Sequence, residues 1–187
     1  MRSRLLHLFD FRRLAAARWR RQKVPVPASG RGQTETRIRS MPTHAEKRFL
    51  PYTPEQMFQL VADIEKYPQF LPWCLAARIR RREGTLVVAD LMIGFKMIRE
   101  RFTSRVTLSA PDRIDVAYAD GPFHYLNNHW IFMPAAGGCE IDFFVDFEFR
   151  SKMLQKVMEV LFSEAVRRMV AAFETRAGEL YGISRLL

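Results

Sequence analysis

The side chains in this sequence able to do chemistry are few: four histidines, a series of alternating carboxylates, a short amide cluster and two cysteines. His124 and His129 stand five apart in DGPFHYLNNHWIF, which alternates like a β-strand, and odd spacing sends two strand residues to opposite faces. No shared metal site is expected of them. His7 lies in the basic beginning of the chain and His44 at the edge of the domain that follows. Glu140, Asp142, Asp146 and Glu148 alternate with Ile141, Phe143, Val145, Phe147 and Phe149, as on a strand with one face in water and one on the core. That spacing gives a solvated stripe rather than converging acid–base groups. Asn127, Asn128 and His129 are the best polar group near the apolar face, and suit a satisfied core or turn cluster better than a catalytic one. The sequence has no H-E-x-x-H, G-x-S-x-G, paired cysteine ligands or phosphate-binding glycine loop. The expectation is a protein that is not an enzyme and uses neither a metal nor a catalytic cofactor. Cys74 and Cys139 are far apart with no C-x-x-C, which predicts free thiols and a reducing compartment.

The formal charge of +10 is not spread along the chain. Residues 1–40 hold eleven Lys and Arg against Asp10 and Glu35, whereas the remainder has nineteen basic and eighteen acidic residues. The body of the protein is therefore nearly neutral and gives no reason to expect a nucleic-acid ligand. Arg78, Arg80, Arg81 and Arg82, with Lys96, Arg99, Arg101 and Arg105, have Glu83, Asp90 and Glu100 among their neighbours, as on a mixed-sign solvated surface. If this stripe has a partner, anionic lipid headgroups fit better than nucleic acid, because YPQFLPWC, Met92 and Met97 beside it are apolar. Residues 1–40 are expected to be a basic, disordered extension or the product of a start placed upstream of Met41. A targeting or membrane-surface segment and a nucleic-acid arm are the alternatives. No apolar run approaches the ~20 residues that span a bilayer, so membrane association would be peripheral.

The elements that must position these groups follow from capping and periodicity. Residues 44–51 suit a first strand. Thr53-Pro54-Glu55-Gln56 then starts a helix, with Thr at the N-cap, Pro in the first turn and Gln placed for a capping box. Met57, Phe58, Leu60, Val61 and Ile64 recur at helical spacing. In YPQFLPWC, residues 67–74, apolar side chains fill a segment that Pro68 and Pro72 bar from an ordinary helix or central strand, so a loop is expected. From about residue 74 to 149 the period becomes two. About six strands with short turns at Glu83-Gly84, Pro111-Asp112, Asp120-Gly121-Pro122 and Gly137-Gly138 form a meander with one apolar face. Ser151 caps a final amphipathic helix of some thirty residues, ~45 Å long, whose stripe runs from Leu154 to Phe173 and must lie against the sheet.

This order of elements resembles the helix-grip fold of START-like and polyketide-cyclase-like domains. More narrowly, EKYPQFLPWC, IGFKMIRERFTSRV, DGPFHYLNNHWIF and DFFVDFEFRSKMLQKVMEVLFSEAVRRMVAAFE resemble the coenzyme Q-binding protein family of alphaproteobacteria and mitochondria, across residues 42–182. The fold class expected is α+β, a curved antiparallel sheet of about seven strands around a long C-terminal helix, in a domain spanning residues 41–183. The resemblance implies a protein that binds ubiquinone or its isoprenoid precursors in an apolar tunnel, and supports respiration and quinone synthesis without catalysing a reaction. It implies a peripheral location on the inner face of a bacterial membrane, or on the matrix side of the mitochondrial inner membrane in a eukaryote. The inward positions Leu91, Ile93, Phe95, Phe102, Val106, Val116, Tyr118, Leu126, Trp130, Phe132, Phe143, Val145 and Phe147, with Leu161, Ala165 and Met169 of the helix, are the expected tunnel wall. Trp130, Tyr118 and Phe143 are placed to face a quinone ring. Phe70, Leu71, Pro72 and Trp73 are expected to form a lid that dips into the bilayer interface. A weaker resemblance, to the bacterial toxins that block ribosomal subunit association, keeps a ribosomal partner as an alternative. A polyketide cyclase-type enzyme using Asn128 with Tyr118 or His129 is another.

Overall fold

The computed structural model describes residues 43–95 and 98–182, with the side chain of Phe95 excepted. The expectations for residues 1–40, for Met41 as a start, and for Lys96, Met97 and the Phe95 side chain lie outside the described residues. Strand β1 (Thr43–Leu50) leads to helix α1 (Pro54–Ala62), a 3-10 turn at Ile64–Lys66 and the one-turn helix α2 (Tyr67–Phe70). Six strands follow: β2 (Cys74–Glu83), β3 (Leu86–Phe95), β4 (Ile98–Ser109), β5 (Arg113–Asp120), β6 (Phe123–Ala135) and β7 (Gly138–Phe149). Helix α3 (Lys152–Tyr181) completes the domain. All pairs are antiparallel in one seven-stranded sheet ordered β1-β7-β6-β5-β4-β3-β2, so the helical section after β1 carries the chain from one sheet edge to the other. This is the α+β, helix-on-curved-sheet architecture that the periodicity predicts.

Local chemistry sets the boundaries. Thr53 Oγ1 accepts from the Gln56 amide at 3.3 Å while Gln56 Oε1 accepts from the Thr53 amide at 2.9 Å, which closes the capping box. Ser151 accepts from the Leu154 amide and starts α3, and its carbonyl takes the Gln155 amide. The β6–β7 turn needs glycine at 138 because a Cβ there would lie 2.1 Å from the Leu50 carbonyl oxygen of β1.

YPQFLPWC is not wholly a loop. Tyr67–Phe70 makes one helical turn with Pro68 in its first turn, where the missing N–H costs no hydrogen bond, and the irregular part is confined to Leu71–Trp73. Strict alternation also fails at the start of β6. A bulge between Phe123 and Tyr125 lets Phe123 and Leu126 both face inward although three apart, so strand parity does not carry across His124. His124 is exposed, and His129 stacks on Phe144 at 5.1 Å with its Nε2 4.0 Å from Asp142. Five strand residues span ~16 Å, so the two rings still do not meet.

Between sheet and helices lie two packed clusters. The larger gathers α1, the middle of the sheet and the C-terminal half of α3 around Met57, Phe58, Phe132, Trp130, Val166 and Phe173. The smaller joins Phe123, Phe147 and Phe149 to Leu154 near the start of α3. Phe123 stacks on Phe149 with centroids 4.5 Å apart and meets Phe102, Tyr118 and Phe147 edge-on. Along α3 no residue between Gln155 and Val166 is fully buried, so the middle of the helix is not packed as its two ends are.

Candidate functional site

That middle stretch faces a cavity of about 480 Å³, the size of a small-molecule site. Val157, Met158, Leu161, Phe162, Ala165 and Met169 of α3 close it on one side. The sheet supplies the other, since the inward rows bring strands together in register. Val106 pairs with Val116, Val116 with Asn128, and Asn128 with Val145. Large side chains on both clusters hold sheet and helix apart, and the medium-sized Val106, Val116, Val145 and Ala165 between them do not fill the gap.

Of the expected wall, Leu91, Ile93, Phe102, Val106, Val116, Leu126, Trp130, Phe143, Val145, Phe147, Leu161, Ala165 and Met169 border this cavity. Two do not. Phe132, 1% exposed, meets Phe58 of α1 edge-on at 6.0 Å and belongs to the solid core. Tyr118 packs edge-on against Phe123 at 5.7 Å, outside the wall. Trp130 and Phe143 are in contact with each other, their centroids 4.4 Å apart. The expected lid divides. Phe70 turns inward between Tyr67 and Phe173, with the Arg176 guanidinium 5.9 Å from its centroid. Leu71 is buried and borders the cavity, Pro72 is exposed, and Trp73 is half-buried on the cavity rim. The Gly94 amide donates to the Trp73 carbonyl at 2.9 Å and ties this rim to β3. Exposed Leu75 and Met92 lie next to it on β2 and β3.

The polar atoms of the wall are mostly engaged. Asn128 Nδ2 donates to the Phe144 carbonyl at 2.7 Å, and its Oδ1 accepts from Trp130 Nε1 at 3.1 Å. Tyr67 donates its hydroxyl to the Val61 carbonyl at 2.6 Å, and burial drives its pKa far above the ordinary phenol value. Burial likewise pushes the Cys74 thiol up to about 11. Cys139, the other free thiol, is also pushed up to about 11 by burial. Glu100, Glu164 and Arg168 are the charged residues of the wall, with Glu164 paired to Arg167 and Arg168. Asn128, Tyr118 and His129 are not brought together: Asn128 is on the cavity, Tyr118 behind its wall, and His129 on the outer face. Among the described residues no three His, Cys, Asp or Glu side chains converge.

On the outer face, Asp90 is nearly buried, which alone would raise its pKa. Hydrogen bonds from Thr103 and Arg101 outweigh that and hold it below the usual carboxylate range. Arg80 also pairs with Asp90 and Arg81 with Glu83. Lys47 of β1 meets Glu140 and Asp142, so the acidic stripe of β7 is a solvated, paired surface.

The sequence profile described as "Polyketide cyclase / dehydrase and lipid transport" matches residues 50–174. The chain belongs to this family. A protein of Rickettsia prowazekii named ribosome association toxin RatA is 42% identical over 137 residues, 71% of this chain and 94% of that one. The coenzyme Q-binding protein COQ10 homolog B, mitochondrial, of Xenopus laevis is 34% identical over 144 residues, 74% of this chain and 59% of that protein. Neither name is that of an enzyme. Among solved structures, a START superfamily protein from Mycobacterium smegmatis superposes with a TM-score of 0.64 at 18% identity, covering 74% of this chain and 98% of that one. The Zhui aromatase/cyclase from Streptomyces does so with a TM-score of 0.66 at 13% identity, covering 74% and 94%. These two likenesses establish the shared fold and no more.

The expected site omitted several wall residues: Ile114, Phe123, Phe149 and Leu154, the rim charges, and Ser104. Ser104 had a signal in the sequence, being a polar residue in the inward series Phe102, Ser104, Val106 and Leu108.

Proposed function

We propose that this protein binds ubiquinone or an isoprenoid precursor of it in the cavity and shields it, without catalysing a reaction on it. The observation that carries this reading is an apolar cavity of about 480 Å³ whose interior amide, Asn128, is already hydrogen-bonded to the protein. A relative named as a coenzyme Q-binding protein supports quinone as the occupant. Each shielded CH₂ is worth ~0.8 kcal/mol, so one five-carbon isoprene unit contributes ~4 kcal/mol, about three powers of ten in partition. A tail leaving the bilayer needs such a sleeve.

The rim supports loading at a membrane surface. Trp73, Leu75 and Met92 present apolar area beside it, and Arg78 and Arg99 on the adjoining strands have no ion-pair partner among the described residues. The protein would then act peripherally, on the inner face of a bacterial membrane or the matrix side of the mitochondrial inner membrane. Among the described residues no helix is long and apolar enough to cross a membrane. The test is lipid extraction and mass spectrometry of the purified protein, followed by uptake from quinone-loaded liposomes. Quinone in the extract and saturable uptake are expected; clean protein that also takes up none refutes the reading.

A second reading, association with a ribosomal subunit, is favoured by the relative named as a ribosome association toxin. The same unpaired arginines would then meet phosphate. Cosedimentation with subunits that weakens steeply with salt is its signature, and its absence at low salt removes it.

A further inference from the structure

We infer that the Ser104 hydroxyl is the polar anchor of the cavity, donating a hydrogen bond to a carbonyl oxygen at the head of the bound ligand. The ligand therefore sits head inward with its tail toward the rim. This deepens the quinone-binding reading and rests on it.

Ser104 is 1% exposed and borders the cavity, yet its Oγ has no hydrogen-bond partner among the described residues. A buried hydroxyl without a partner is costly, and native proteins rarely leave one so placed. The other buried polar groups of the wall are taken: Tyr67 by Val61, Cys74 by Ala76, and Asn128 and Trp130 by each other and by Phe144. Ser104 is the hydroxyl left for a ligand.

Its position fixes the orientation. Along β4 the residues Glu100, Phe102, Ser104 and Val106 all border the cavity, with Glu100 half-exposed. Four strand residues, about 13 Å, separate Ser104 from Glu100. An apolar molecule with oxygen at one end finds at that depth the one unpartnered buried hydroxyl that borders the cavity among the described residues, and leaves its hydrocarbon against Phe102, Leu91 and the α3 side chains. Across the sheet Ser104 pairs with Tyr118, whose hydroxyl is the second buried and unpartnered side-chain group. The class of ligand that fits is a carbonyl-headed isoprenoid; a plain hydrocarbon of equal length would leave the hydroxyl unmet.

The experiment measures equilibrium uptake from liposomes of two probes, a ubiquinone ring with a decyl tail and decylbenzene, by wild type, Ser104→Ala and Ser104→Thr. Ser104→Ala should lower uptake of the quinone by about twofold to tenfold, the worth of one net hydrogen bond, and leave decylbenzene uptake unchanged. Ser104→Thr, which keeps the hydroxyl, should restore the quinone. Without ligand, Ser104→Ala should melt no lower than wild type, since the lost group had no protein partner. Equal uptake of the quinone by wild type and Ser104→Ala overturns the anchor, and so does an equal loss of both probes. A wild type that takes up the quinone while Ser104→Ala takes up as much of it sinks the anchor alone. A wild type that takes up neither sinks the quinone reading and the anchor with it.

Discussion

Glutamate in place of Val116 places a charge where the cavity offers it no free cation. Val116 borders the cavity, and its cross-strand neighbours are Val106 and Asn128. The Asn128 amide is engaged by Phe144 and Trp130, and Arg168, the cation of the wall, is paired with Glu164, so no free cation meets a new carboxylate. Burying the neutral acid costs about 1–3 kcal/mol, and burying the anion costs more. Burial disfavours the charged form, so the carboxyl should titrate near pH ~7 in the folded protein against ~4.3 unfolded. The folded-state value is the higher of the two. The variant therefore keeps its stability below pH ~4.3 and loses it as pH rises to ~7, by about 4 kcal/mol at ~1.36 kcal/mol per pH unit. Quinone uptake should fall over the same range as the charge appears. Urea denaturation and liposome uptake across pH 4.5–8 measure both, with Val116→Gln as the control whose deficit does not vary with pH. A Val116→Glu protein whose stability tracks wild type at every pH, with uptake intact, would show that this face is wet and the cavity argument wrong.

Asp90→Asn removes the charge that Thr103 and Arg101 hold, and should cost about 1.5–3 kcal/mol in urea denaturation at neutral pH. Because the wild-type carboxyl is held below its ordinary value, this contribution is present above the unfolded pKa and disappears as pH falls through the folded one, so the two proteins should converge in acid. Thr53→Ala breaks the capping box of α1 and should cost about 1 kcal/mol, read as a shifted urea midpoint with unchanged slope. Cys74 and Cys139, both buried with pKa about 11, should resist a thiol reagent at pH 8 until the protein unfolds; fast labelling in the native state would contradict their burial.

Periodicity and capping alone specified about seven strands, the two principal helices and the inward side of the five strands from Leu86 to Phe149. Each of these depends on neighbours in sequence, since a strand alternates and a helix repeats whatever lies opposite. The capping box at Thr53 and the start of α3 at Ser151 stand where those residue types require. Parity failed at His124, where a bulge adds a residue that alternation cannot show. It also could not tell Phe132 from Val116, both inward on a meander strand. Phe58 of α1 presses on the first, whereas the second faces the under-packed middle of α3. Phe70 and Trp73, three residues apart in one apolar stretch, part in the same way: α3 packs against Phe70 and leaves Trp73 at the rim. A cavity is a deficit of volume between elements distant in sequence. Its wall is therefore set by what meets each side chain across the gap, which only the assembled sheet and helix decide.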